Sequence, residues 1–376
     1  GEAGRDLGAT RNITAFAGRG NQSWGSAGTV LLKHAGQPHG DLYVDDGVDG
    51  ATTRAATPLT LVGFGRSAFL TADTLTTDGL VRMVPNGLAG LELNPNLAQE
   101  QTFTVISNTD TTITVDVSGG TYLTDVAQPG DPYAGVYRFD NVFLRRGGFM
   151  VGGDRLVVGG TVRIDEYGAL THHDATLTWE SHLDLSAARI EVAASGRIDA
   201  DARGYLGGYR GGNDASGQTL GNVDGSDWRA GGSYGGLGGT TSGTPNPVYG
   251  GATGPAELGS GGAGSSYNYD GGDGGGWLKI RATDIVMDGA ITSRGAPGSG
   301  YQSGSGSGGA VDIECASISG AGSIAADGGG DDVGGGGGRV AVRCDANQLD
   351  GSKITARGGT GSHASGQDGS VHLAPR

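Results

Sequence analysis

From Gly274 to Gly359 the chain runs three times through one pattern of polar and apolar positions. Each copy has glycines, a short run alternating apolar with polar, and a second short run closed by Ile-x-Ala and further glycines. The copies begin Gly274-Gly-Gly-Trp-Leu-Lys-Ile-Arg, Gly308-Gly-Ala-Val-Asp-Ile-Glu-Cys and Gly337-Gly-Arg-Val-Ala-Val-Arg-Cys. Ile291, Ile324 and Ile354 occupy the same place in the three copies, at spacings of 33 and 30. A period of that size made of two-residue alternation predicts strands that stack in register. The expected fold is all-β, a parallel β-solenoid of the β-helix kind.

Taken in order, residues 1–71 read as the first solenoid turns, with Asp41-Leu-Tyr-Val and Leu59-Thr-Leu-Val as strands. Over 72–137 glycine thins out and Thr and Val rise. Phe103-Thr-Val-Ile-Ser-Asn and Thr112-Ile-Thr-Val-Asp-Val flank Thr109-Asp-Thr as a hairpin would, so a small barrel-like β module is expected there as an insert. Solenoid strands return over 138–202. Residues 203–276 hold 27 glycines in 74 positions, which fits either an ordered excursion of extended, polyproline-like strands or a loop. Solenoid turns are expected again over 277–376, and they return to the motif of the N-terminus. Ile13 to Ala35 matches Ile354 to Arg376 at nine of 23 positions. That match, with a first residue that is not Met, reads as one unit of a tandem array excised from a longer precursor.

Composition narrows the partners more than the fold. Glycine makes up 79 of 376 residues without a three-residue period, which excludes collagen. The formal net charge of −15 argues against nucleic acid or an anionic membrane as partner, and no apolar run is long enough for membrane insertion.

The Gly-Gly-x-x-(apolar-x-apolar) runs, the Ile-x-Ala-x-Gly-Gly turns and the phrase Gly25-Ser-Ala-Gly-Thr-Val-Leu-Leu resemble the glycine-rich β-solenoid repeat modules of very large bacterial cell-surface and secreted proteins. The stretch Leu88-Ala-Gly-Leu-Glu-Leu-Asn-Pro-Asn resembles the small β module interleaved in them. The resemblance covers most of the chain and implies an architecture. It brings no catalytic motif.

Candidate chemistry falls into four groups. Cys315 and Cys344 hold the same place in consecutive repeats, and adjacent strands about 4.8 Å apart suit a disulfide; the alternative is two stacked thiols. Asp45, Asp46 and Asp49, then Asp270 and Asp273, then Asp327, Asp331 and Asp332, alternate with glycine as the ligands of a hard cation such as calcium do. None has the EF-hand spacing, and solvated turns are the alternative. His172, Asp174, Glu180 and His182 are evenly spaced and would share a face on a strand, as a metal site, an acid–base pair or plain surface polarity. Tyr205, Tyr209, Trp228, Tyr234, Tyr267 and Tyr269, with Tyr249 and Trp277, supply aromatic faces for carbohydrate or surface binding, or simply packing mass among the glycines.

The function expected is a non-enzymatic extracellular structural or adhesive module, associating end to end into a surface filament or stalk. The alternative is a polysaccharide-binding or polysaccharide-degrading protein, a lyase or hydrolase, against which stands a supply of only three lysines.

Overall fold

The computed structural model describes residues 13–18, 25–47, 55–80, 82–266 and 269–376. The chain forms two compact units, one of Gly1–Thr57, Phe139–Val151 and Val158–Arg376, the other of Pro58–Arg138 and Gly152–Val157.

The smaller unit is a closed antiparallel barrel. Its six strands are Phe64–Leu70, Thr74–Thr77, Glu92–Asn94, Phe103–Asn108, Thr112–Val115 and Pro132–Phe139. The ring closes because Glu92–Asn94 pairs with both Phe103–Asn108 and Pro132–Phe139. Alternation decides what points inward: Phe103, Val105, Ile113 and Val115 fill the barrel with Leu75, Leu88, Leu93 and Tyr133. Ladder irregularities at Ser67/Phe69 and Val105/Ser107 supply the bends that closure requires. Leu123, fully buried, comes from a one-turn α-helix, Leu123–Val126.

A buried carboxylate pins this unit. Asp154, 3% exposed, accepts hydrogen bonds from the backbone N–H of Val62 at 2.7 Å and of Gly63 at 2.9 Å. A Cβ on Gly135 would lie 2.2 Å from the carboxylate, so that position admits only glycine.

The larger unit contains two parallel ladders. In the long one, Leu183–Val192, Trp277–Met287, Ala310–Ser319, Arg339–Asn347 and Ser370–Ala374 pair in sequence order. In the short one, Ala169–His172, Arg197–Asp199, Ala290–Thr292, Ser323–Ala325 and Ile354–Thr355 do the same. In-register pairing turns the repeat into columns of like residues: Ile198, Ile291, Ile324 and Ile354 in one, Ile190, Ile285 and Ile318 in another, all at most 5% exposed. Cys315 and Cys344 pair directly across the long ladder and are disulfide-bonded, with Cα atoms 4.6 Å apart. Asn141–Arg145 joins Asp41–Asp45 and Val162–Ile164 in parallel, but Thr29–Leu32 runs antiparallel to Asp41–Asp45.

The all-β expectation holds and the solenoid expectation does not. A solenoid stacks each turn on the turns just before and after it. Here one unit is a closed antiparallel barrel, and the other, although its ladders are parallel, is crossed by a segment that no solenoid turn contains. Residues 203–266 and 269–276 leave the ladder after Ala200 and are bonded through their backbone to parts of the chain far apart in sequence. Gly232 donates to Ser305 O, Gly236 to Gly337 O and Gly239 to Gly334 O, while Leu237 O accepts from Gln367. Further in, Gly262 donates to Gly272 O, Gly272 to Gly304 O and Gly304 to Ala263 O, at 2.8 to 2.9 Å.

This backbone lattice requires glycine for steric reasons. A Cβ on Gly304 would sit 1.9 Å from Ala230 O, and one on Gly271 would sit 1.9 Å from Gly262 O. Neither residue has a left-handed φ. Close approach, and not backbone angle, fixes the residue type at these two positions.

Candidate functional site

Beside the lattice a cleft of about 440 Å³ is lined by Asp174, Ala175, Ala202, Gly204, Leu206, Tyr209, Arg210, Gly211, Asp270 and Asp273. That volume falls within the range of small-ligand sites. The lattice builds its wall: Gly208 donates to Gly262 O and Gly271 donates to Gly208 O, which holds the 207–211 turn against 270–273. Tyr209 adopts φ of 65° at the apex of that turn, its N–H bonded to Asp214 O at 2.6 Å. The Tyr209 ring lies over Gly264, where a Cβ would come within 2.6 Å of it.

Three carboxylates converge on the cleft. Asp273 accepts from Gly207 N–H at 2.7 Å and lies 3.5 Å from Arg210 Nη1, while Arg210 Nε donates to Gly271 O at 2.7 Å. Asp174 is ion-paired with Arg203. Burial, with the charges of Asp174 and Asp270 beside it, pushes the Asp273 carboxyl above its ordinary range against the opposing pull of Gly207 N–H and Arg210. The cleft can therefore present a tyrosine ring, hydrogen-bond acceptors, an arginine and one carboxyl more easily protonated than usual.

The structure distributes the other sequence candidates differently. Asp45 is held by Arg146 and by Gly47 N–H, and Asp46 is buried; Asp49 lies outside the described residues. Asp327 accepts from Arg357 N–H, and Asp332 from Gln302 N–H and Ser362 Oγ. Asp331 contributes its backbone carbonyl to Ser362 N–H. Most of these carboxylates thus fasten turns to neighbouring backbone. Among the described residues no three His, Cys, Asp or Glu side chains gather into a metal-ligand set.

His172, Asp174, Glu180 and His182 do not share a face, because residues 173–182 are not a strand and even spacing has no meaning there. His172 is fully buried, with Nδ1 2.8 Å from His173 O and Nε2 against Gly276. Burial lowers its pKa to about 3, so it is neutral. His182 stacks on Trp277 at 4.3 Å, and Glu180 accepts from Tyr205 Oη at 2.7 Å.

Of the aromatic candidates, Tyr205 and Tyr234 are fully buried and so closed to a surface ligand. Tyr234 donates to Glu257 and packs on Tyr249, ring centres 4.9 Å apart. Trp228 and Tyr269 are 46% and 40% exposed, Trp228 with the Arg229 guanidinium over its ring; Tyr267 lies outside the described residues. Tyr209 alone of these lines the cleft. Arg210 was not singled out by the sequence reading, although its place beside Tyr209 in a Gly-rich turn marks it as a side chain with little else to pack on.

No known protein family, curated protein or solved structure matches this chain.

Proposed function

We propose that the chain is a non-enzymatic structural module of an extracellular or cell-surface protein. The observation that carries this reading is the glycine lattice. Its strands are bonded in several directions at once, and a Cβ at Gly271 or Gly304 would collide with backbone. Extending such a lattice requires many backbone bonds to break together, with no side chain free to rearrange. The disulfide Cys315–Cys344 clamps the ladder beside it and suits an oxidising compartment. Force spectroscopy on the full chain tests the reading: the barrel should open first and the lattice unit at higher force. A lattice unit that yields before the barrel would sink it.

A second reading, polysaccharide binding, is favoured by the cleft, where Tyr209 stands beside Asp174, Arg210, Asp270 and Asp273. Ring stacking and carboxylate acceptors are the means by which sugars are held. Titration with neutral and acidic oligosaccharides should show binding that Tyr209→Ala weakens at least tenfold. Equal binding by the variant and the parent chain would remove the cleft from consideration.

A further inference from the structure

Residues 13–18 and 25–32, alike in sequence to 354–359 and 366–373, also fold alike where they are described. In the first, Gly25 N–H donates to Gly18 O at 3.1 Å and Gly28 N–H to Ala15 O at 2.7 Å. In the second, the corresponding Gly366 donates to Gly359 O at 3.0 Å and Gly369 to Ala356 O at 2.7 Å. Both then continue into a short strand, Thr29–Leu32 and Ser370–Ala374.

The two segments differ in which side is covered. Ser370–Ala374 pairs in parallel with Arg339–Asn347, Val371 opposite Val340 and Leu373 opposite Val342, and Ile354 pairs with Ile324. Its other edge has no strand partner among the described residues. Thr29–Leu32 is the complement: its one strand partner among the described residues is Asp41–Asp45, and the side equivalent to the one that Ser370–Ala374 turns to Arg339–Asn347 carries none. At the Ile position exposure follows the same division, Ile354 being 5% exposed and its counterpart Ile13 47%, whereas Val371 and Leu373, 43% and 47% exposed, are left open on the outer side and Val30 and Leu32 are half-buried.

We propose that copies of this chain join head to tail by strand replacement. Residues 13–18 and 25–32 of a second copy take the positions of residues 354–359 and 366–373 on the edge formed by Ser323–Ala325 and Arg339–Asn347. By the observed register, Val30 then lies opposite Val340, Leu32 opposite Val342 and Ile13 opposite Ile324. The strand directions are compatible. The incoming Thr29–Leu32 runs parallel to Arg339–Asn347, as Ser370–Ala374 does, and keeps its own antiparallel partner Asp41–Asp45 on the far side. Each joint extends the long ladder from one copy into the next and buries Ile13. The occupant is a second copy because the edge is already filled by a segment of that sequence and that hydrogen-bond pattern. The proposal deepens the structural reading and fails separately from it: a lattice that yields at low force would leave the joint intact.

The test uses full-length chain. Val371→Asp with Leu373→Asp loosens the C-terminal segment without touching the donor. Light scattering after size exclusion should shift this variant from 37.5 kDa to multiples of that mass, and adding Val30→Asp and Leu32→Asp should return it to monomer. In the same loosened background, Ile13→Cys on one chain and Ile324→Cys on another should give a disulfide-linked pair on a non-reducing gel. The pairing of Cys315 with Cys344 in the long ladder shows that in-register residues of neighbouring parallel strands in this fold lie close enough to bond. Assembly that persists with Val30→Asp and Leu32→Asp overturns the proposal. So does a loosened variant that stays monomeric and gives no cross-link, whether or not amide exchange shows residues 354–374 released.

Discussion

The barrel and the lattice unit are built on opposite principles. The barrel is held by what its side chains fill: Leu75, Leu93, Ile113 and Leu123 are fully buried and close-packed within a ring of six strands. The lattice is held by what its residues lack, so that Gly262, Gly271 and Gly304 bring backbone to backbone. The barrel's interior is apolar surface removed from water; in the larger unit aliphatic columns along the ladders are joined to a region where hydrogen-bonded glycine backbone packs around a few buried rings such as Tyr205 and Tyr234. The polar groups buried in each differ as well. Asp154 in the barrel is an acid surrounded by N–H donors, and His172 in the larger unit is a base packed against Gly276.

That contrast predicts opposite responses to acid. Burial lowers the pKa of His172 to about 3, below its unfolded value. Its contribution to stability is therefore complete above pH about 6.5 and is lost as pH falls toward 3, an effect of about 4 kcal/mol. His182 is shifted the same way, chiefly by burial, and adds in the same direction. Burial raises the pKa of Asp154 to about 7, against the N–H bonds of Val62, Gly63 and Gly135. The barrel is consequently most stable below pH about 4 and loses stability as pH rises through 7. The carboxyls of Asp201, Asp273 and Asp312 in the larger unit have pKa values raised by burial and oppose the histidines, so acidifying from pH 7 to 4 should strengthen the barrel relative to the larger unit. Trp179, Trp228 and Trp277 belong to the larger unit and the barrel's sequence contains no tryptophan, so tryptophan emission does not report on the barrel, and amide exchange in 103–115 follows it. Parallel shifts of both signals with pH would break the contrast.

The two interiors were unequally legible in the sequence. Alternation in Phe103–Asn108 and Thr112–Val115 gives away a hairpin, because side chains that fill a barrel must repeat every two residues. The barrel's first strand, Phe64–Leu70, lies ahead of the expected insert at 72–137, since Gly65, Arg66 and Ser67 interrupt its pattern. The repeat places Ile291, Ile324 and Ile354 on one column, and they do lie in register. The solenoid inferred from it fails because a period reports which strands recur and says nothing about what crosses them. A run of glycines has no side-chain pattern, so the bonds from Gly232, Gly236 and Gly239 to two distant segments, at 305 and at 334–337, left no trace in the sequence. The cleft was half legible: Tyr209, Asp270 and Asp273 stood out as residue types, but only the lattice brings Asp174 and Arg210 to them.

Core substitutions sharpen the comparison next. Ile113→Ala empties a fully buried barrel site and should cost about 3 to 4 kcal/mol in denaturant unfolding. In the lattice unit the damaging change is an addition: Gly304→Ala forces a methyl to 1.9 Å from Ala230 O and should cost about 3 kcal/mol. Tolerance of Gly304→Ala, with a loss under about 0.5 kcal/mol, would mean that the lattice strands can part without loss and are not the support assigned to them here.

The smallest effect is the control that separates lattice glycines from glycines in general. Gly119, in the turn after the barrel strand Thr112–Val115, has no atom within 4 Å of where its Cβ would stand and no left-handed φ. Replacing it with alanine adds nothing to the folded state that must move, and it removes backbone freedom from the unfolded chain. Gly119→Ala should therefore stabilise the barrel slightly, by about 0.4 to 1 kcal/mol. The same one-methyl change then carries opposite signs in the two units. If Gly119→Ala were as damaging as Gly304→Ala, the cost of alanine would come from glycine's backbone freedom in both places, and the close approach of lattice strands would explain nothing.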